Sequence, residues 1–272
     1  MSTVFKRVVE LPDEALSLYW YGPLDAQIVL LCVHGWTLDH TSFLGQKDLA
    51  STSIAVATYD RRGFGLRDVR ANFNQDLQDL IHIAEWISTN CIVFGVSQGA
   101  RLALRAMAQR PDLFAGAVLQ GGVVDGVQVA EDARDAIPLA YFKELCAAGQ
   151  IDQVRSEWLN HPLLKTGVSK QQIPDLTSMI QRWSGNDLLV EGGLPSPADI
   201  SGLIDNYKEP ILLLNGAHET SSRQAHAAYL QRHMNAELVK IEGAGHLVNW
   251  SHSTESNTAI GRWLGSHFLL SV

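Results

Sequence analysis

Apolar positions along the chain fall into two alternating patterns. Short, largely apolar runs occur at 27–33, 53–59, 91–96, 115–120 and 211–215, the length and composition of buried strands, and 236–241, broken by Glu237 and Lys240, reads as the last strand. Between them, apolar residues recur every three to four positions, the period of a helix with one buried face. Leu77, Leu80, Ile81, Ala84 and Ile87 form one such stripe behind Asn72 or Asn74 as a cap, and Leu102, Ala103, Ala106 and Met107 form another. Thr41 or Ser42 suits the start of a helix ending near Leu49. Ser221 or Ser222 suits the start of one reaching His233, and a last helix is predicted from Thr254 to Phe268. Two further strands, 5–11 and 16–21, are separated only by Pro12-Asp13-Glu14. That link is too short for a crossover, so this edge of the sheet is expected to be antiparallel.

Strand–helix alternation from residue 27 onward predicts an α/β fold, a mostly parallel twisted sheet with helices on both faces. The rhythm breaks between Gly122 and Pro210, a length that demands structure of its own. Leu139, Phe142 and Leu145 mark one short helix, and Ile151, Val154, Trp158 and Leu159 a second. Leu176, Met179, Ile180 and Trp183 mark a third, and Ser196-Pro197-Ala198-Asp199 suits the start of a fourth. The expected organisation is a core of residues 1–124 and 207–272, with residues 125–206 inserted as a helical cap over the carboxyl ends of the strands.

Charge and cysteine content narrow the partners. Twenty-nine acidic against 21 basic residues give a net charge of −8 without a dense basic cluster, which opposes a nucleic-acid partner. No apolar run approaches the length of a membrane span, and no leader pattern opens the chain. Cys32, Cys91 and Cys146 are scattered, with neither metal-ligand spacing nor a disulfide framework. The expectation is a cytoplasmic protein acting on a small molecule, with no metal or organic cofactor and with its oligomeric state open.

Candidate chemistry centres on Gly95-Val96-Ser97-Gln98-Gly99, which joins a strand to a helix. A serine on such a turn is lifted above the sheet edge, at a helix N-terminus whose free N–H groups favour a developing oxyanion. Other unusual loops follow other strands: His34-Gly35-Trp36, Asp60-Arg61-Arg62-Gly63-Phe64-Gly65, Gly121-Gly122, Gly216-Ala217-His218-Glu219 and Gly243-Ala244-Gly245-His246. In parallel sheets, ligands sit at these carboxyl ends.

The order of these loops resembles the α/β-hydrolase family over most of residues 27–125 and 207–270. The family's usual Ser near Gly65-Leu66-Arg67 is absent here. The resemblance implies Ser97 as nucleophile and His246 as its base. It places the acid at Glu219, three residues beyond Gly216, or at Asp125 after the sixth strand. The oxyanion donors implied are the backbone N–H groups of Trp36 and Gln98. His34 would shape the oxyanion loop beside the pocket, Trp36, Trp158 and Trp183 would line it, and the Asp60 loop would brace its neighbours. The function implied is a serine hydrolase of the carboxylesterase or lactonase kind, cleaving an ester, lactone or related acyl compound through an acyl-enzyme. Alternatives on the same fold are a cofactor-independent dioxygenase using a His–acid pair, a carbon–carbon bond hydrolase, and a ligand receptor with slow turnover.

Overall fold

Eight strands form one sheet in the order β1-β2-β4-β3-β5-β6-β7-β8. The computed structural model describes residues 4–269 apart from 89, 134 and 205. The strands are β1 (Val4–Glu10), β2 (Ala15–Tyr21), β3 (Ile28–Val33), β4 (Ile54–Thr58), β5 (Asn90–Val96), β6 (Gly116–Gln120), β7 (Ile211–Gly216) and β8 (Ala236–Ile241). β1 and β2 pair antiparallel, β2 also runs antiparallel to β4, and every other pairing is parallel.

Alternation along the strands builds two cores. Val29, Leu31 and Val33 of β3 join one apolar cluster, while Ile28, Leu30 and Cys32 join the other. The first core is covered by α1 (Phe73–Ile87) and α2 (Gln98–Gln109). Asn72 caps α1, its side chain accepting from the Gln75 N–H. On the other face lies the segment His40–Leu49, a 3₁₀ helix rather than the α-helix its spacing suggested. Its cap is Asp39 rather than Thr41 or Ser42, two to three residues earlier than expected, because Asp39 accepts from the Thr41 N–H and the Ser42 hydroxyl donates back to the Asp39 carbonyl.

Between β6 and β7 come α3 (Leu139–Ala147), α4 (Ile151–Leu159), α5 (Pro162–Lys165), α6 (Ile173–Arg182), α7 (Asn186–Leu189) and α8 (Ser201–Ile204). The helix expected to start at Ser196 is not formed there. Asp199 instead accepts from the Ser201 N–H and hydroxyl, and the chain becomes helical at Ser201, five residues beyond Ser196. These helices bury a third cluster, built around Phe142, Trp158, Met179 and Trp183, against Trp36, Phe64 and Leu247 of the loops at the sheet's carboxyl edge. The chain then closes with α9 (Ser221–His233), α10 (Val248–Ser251) and α11 (Ser253–Phe268). Among the described residues no helix is long and apolar enough to cross a membrane.

After β3 the chain moves outward to β4, then returns to the other side of β3 for β5. The β3/β5 boundary is therefore a topological switch point, where loops part and leave a crevice.

Candidate active site

Ser97 follows β5 at that switch point, with φ 55° and ψ −113°. A non-glycine residue in this region is strained by about 1–3 kcal/mol and must be held by its surroundings. The Ser97 N–H donates to the Gln120 carbonyl at 2.7 Å, and the Ser97 carbonyl accepts from Arg101 N–H as α2 begins. Gly99 is required here, since a Cβ on it would sit 2.7 Å from the His34 carbonyl. The turn thus brings α2 directly against the end of β3.

His246 stands on the loop after β8, and its Nδ1 lies 2.6 Å from Glu219 Oε2. A carboxylate only accepts, so Nδ1 carries the proton and Nε2 is left as the basic nitrogen. Nε2 is buried and has no hydrogen-bond partner among the described residues. Glu219 accepts from the Thr220 N–H through its other oxygen. Burial alone would raise the Glu219 pKa, but the His246 ring and these hydrogen bonds hold it below the ordinary carboxylate value. Gln120, at the end of β6, donates to the His246 carbonyl at 2.8 Å and accepts from the Asn249 N–H, fixing the loop that carries the histidine.

Gly121 backs this pair with φ 57°, and a Cβ there would come within 2.6 Å of His246 Nδ1 and 2.9 Å of Glu219 Oε2. Gly121→Ala is expected to separate imidazole from carboxylate and reduce kcat by about 100-fold, the cost of an ångström-scale displacement. Steady-state kinetics on purified, folded variant checks this.

Asp125 lies elsewhere. Its Oδ1 accepts from Arg101 Nε at 2.7 Å and its Oδ2 from Arg105 Nε at 2.7 Å, and no hydrogen bond joins it to His246. Burial opposes its charge, but the two arginines hold its pKa below the ordinary value.

The loop after β3 is tied to several elements. Arg61 N–H donates to His34 Nε2 at 3.0 Å, so the ring's proton is on Nδ1, which donates to the Gly35 carbonyl. Burial, helped by the Arg61 charge, lowers the His34 pKa to about 4 and keeps it neutral. Arg61 also donates to Gln98 Oε1 at 2.7 Å, coupling the Asp60 loop to the residue after the serine. Thr37, β-branched, holds φ 63°, a second strained residue beside the site. Its hydroxyl accepts from the Trp158 indole at 2.7 Å. Asp187, 1% exposed, accepts from the indoles of both Trp36 and Trp183 at 2.7 Å. Burial raises its pKa, and the two indole donors oppose the rise.

A cavity of about 330 Å³ opens beside Ser97, Gln98 and Trp36. The expectation that His34, Trp158 and Trp183 line the pocket is corrected here. None of them is on its wall, because each is at most 3% exposed and has its polar atom turned into protein. The two cap tryptophans are core of the helical insertion and pins for the loop after β3. Trp183→Ala is therefore expected to cost about 3–5 kcal/mol of stability, the scale of an aromatic core truncation. Urea denaturation measures it.

Residues 30–257 match the profile of the alpha/beta hydrolase family. The chain belongs to that family. Among its relatives is a pimeloyl-[acyl-carrier protein] methyl ester esterase of Neisseria meningitidis, 24% identical over 239 residues, which span 84% of this chain and 90% of the relative. A thermophilic esterase from Thermogutta terrifontis has the same fold, with a TM-score of 0.76 and 19% identity over 98% of this chain and all of that one. So does the 2-hydroxy-6-oxo-6-phenylhexa-2,4-dienoate hydrolase of Rhodococcus sp. strain RHA1, with a TM-score of 0.72 and 15% identity over 98% of this chain and 99% of that one. The chain is an alpha/beta hydrolase enzyme, and its sheet and inserted helices are those of this family.

Sequence reading missed three features of the site. They are the Asp187 acceptor, the Gln120 brace, and the arginines Arg101 and Arg223 on the cavity wall, whereas the Arg61–Gln98 contact is an instance of the bracing expected of the Asp60 loop. Of these only Arg101 had a sequence signal, a cationic residue one helical turn beyond Ser97.

Proposed function

We propose that this hydrolase cleaves an ester, lactone or related small acyl compound, with Ser97 as nucleophile, His246 as general base and Glu219 as the acid. The observation that carries this reading is the His246–Glu219 pair, which leaves a basic nitrogen at the sheet edge where Ser97 is held in its strained turn. Serine is a weak nucleophile until a base takes its proton. His246 Nε2 accepts that proton as Ser97 Oγ bonds to the acyl carbon, and the Glu219 carboxylate stabilises the imidazolium that forms. The tetrahedral oxyanion is received by the backbone N–H groups of Trp36 and Gln98, each worth about 3 kcal/mol in the transition state. His246 then returns the proton to the leaving group, and water cleaves the acyl-enzyme by the same route.

The segment 125–206 serves in this reading as a lid over the core of 1–124 and 207–272. Its Ile137, Leu139 and Leu194 supply apolar wall to the cavity and limit the size of the acyl compound. Three unpaired, buried cysteines support a reducing, cytoplasmic setting.

A panel of p-nitrophenyl esters and lactones, run with Ser97→Ala as control, tests the proposal. Turnover by wild type and none by the variant is expected. Ester turnover that survives in Ser97→Ala but disappears in His246→Ala would contradict Ser97 as nucleophile and mean that His246 activates water directly.

A further inference from the structure

The cavity beside Ser97 carries two guanidinium groups that acyl transfer does not require, Arg101 and Arg223. Arg101 follows Ser97 by one helical turn on α2. It shares Asp125 with Arg105, so a single carboxylate answers two cations. Arg223 comes from the first turn of α9, four residues beyond Glu219. Its Nε is buried and has no hydrogen-bond partner among the described residues. The charges near it are Arg101, which repels it, and Glu219 and Glu131, which attract it. Glu219 is engaged with His246 and the Thr220 N–H, and Glu131 is exposed and also accepts from the Ser222 hydroxyl at 3.5 Å.

Two guanidiniums on one small cavity repel, and a dry N–H without an acceptor is costly to keep. Both penalties are removed by one planar anion between them, which a guanidinium fork binds through parallel hydrogen bonds. Away from these groups the wall is apolar, with Val123 from the core and Leu139 and Leu194 from the insertion. About 330 Å³ is the small end of the range for ligand sites. Glu131 on the wall disfavours a second negative charge, so a monoanion fits better than a phosphate dianion.

We propose that the substrate is a short acyl compound bearing a carboxylate, and that Arg101 and Arg223 hold this carboxylate while Ser97 attacks the acyl carbon. The proposal rests on the acyl-hydrolase reading of Ser97. The carboxylate belongs to either the acyl part or the leaving group, and two substrates separate these. Monomethyl adipate carries it on the acyl side, the butanoyl ester of glycolic acid on the leaving side, and methyl hexanoate is the neutral reference.

One anionic ester is expected to exceed the neutral one in kcat/KM by at least tenfold, with the difference mainly in KM. Arg223→Gln should lower that ratio at least tenfold, and Arg223→Lys, which keeps the charge, should restore part of it. Partial rescue by lysine separates recognition from misfolding. Wild-type enzyme that cleaves methyl hexanoate as well as both anionic esters overturns the proposal and leaves the hydrolase reading intact. Calorimetric titration with hexanoate, a monoanion of matching length, reads the site without turnover. Binding to wild type that weakens at least tenfold in Arg223→Gln supports the carboxylate site even where Ser97 proves not to be a nucleophile. Folded wild type that binds no hexanoate sinks the site.

Discussion

Ser97→Ala is expected to lower kcat by about a million-fold, the scale seen when a nucleophile is removed from a triad that works as a unit. The substitution removes one oxygen from a half-buried position and leaves the backbone hydrogen bonds to Gln120 and Arg101 available. Stability should therefore change little, and a far-ultraviolet spectrum and urea midpoint close to wild type are expected. His246→Ala should lose nearly as much, and the double variant little more than either alone. Such non-additivity is what two groups acting on one proton require. A double variant that multiplies the two losses would mean that the residues act in separate steps.

Glu219→Gln is expected to reduce kcat by about ten-thousand-fold. Glutamine keeps the size and still offers an oxygen. It also offers an N–H₂ group, which permits the wrong histidine tautomer and supplies no negative charge when imidazolium forms. Asp125→Asn provides the contrast. It leaves Arg101 and Arg105 half-buried or buried with no full counter-charge, so its main expected cost is about 3 kcal/mol of stability. Because the Asp125 pKa is depressed in the folded protein, this contribution is complete above the ordinary carboxylate range. It is lost as pH falls below about 4, through the lowered value. Stopped assays of kcat at pH 7, with urea titrations at pH 7 and at about pH 3, distinguish the two variants. Equal losses of turnover in both would reassign the acid.

The strands were legible because continuous apolar runs of five to seven residues have few alternatives in a chain of this composition. The switch-point serine was legible because Gly95 and Gly99 flank it. Less local features were not. Trp158 and Trp183 show the same helical spacing whether they face a ligand or a core. Only the position of their indole acceptors, Thr37 and Asp187, decides it, and Asp187 sits in the unremarked stretch Gly185-Asn186-Asp187-Leu188. The helix before β4 reads from Thr41 or Ser42 as its cap, yet Asp39 caps it and Ser42 closes its first turn with tighter local hydrogen bonds. Glu219 and Asp125 both follow strands on the same edge. Which one meets His246 depends on Arg101 and Arg105, two cations of α2 that hold Asp125 away.

These contacts also connect the lid to the chemistry. Trp36, whose N–H is the proposed oxyanion donor, is held through its indole by an aspartate of the insertion. A change in how the lid helices pack would therefore be felt at the oxyanion loop as well as at the pocket wall. Thr37, the strained residue next to it, is likewise tied to the insertion through Trp158.

The most direct measurement is mass spectrometry of the intact and digested protein after exposure to a fluorophosphonate. The expected result is one adduct, located on Ser97, absent in Ser97→Ala and formed far more slowly in His246→Ala and Glu219→Gln. Folded wild-type protein that takes up no label, or takes it up at another residue, would contradict the assignment of Ser97 as the activated nucleophile.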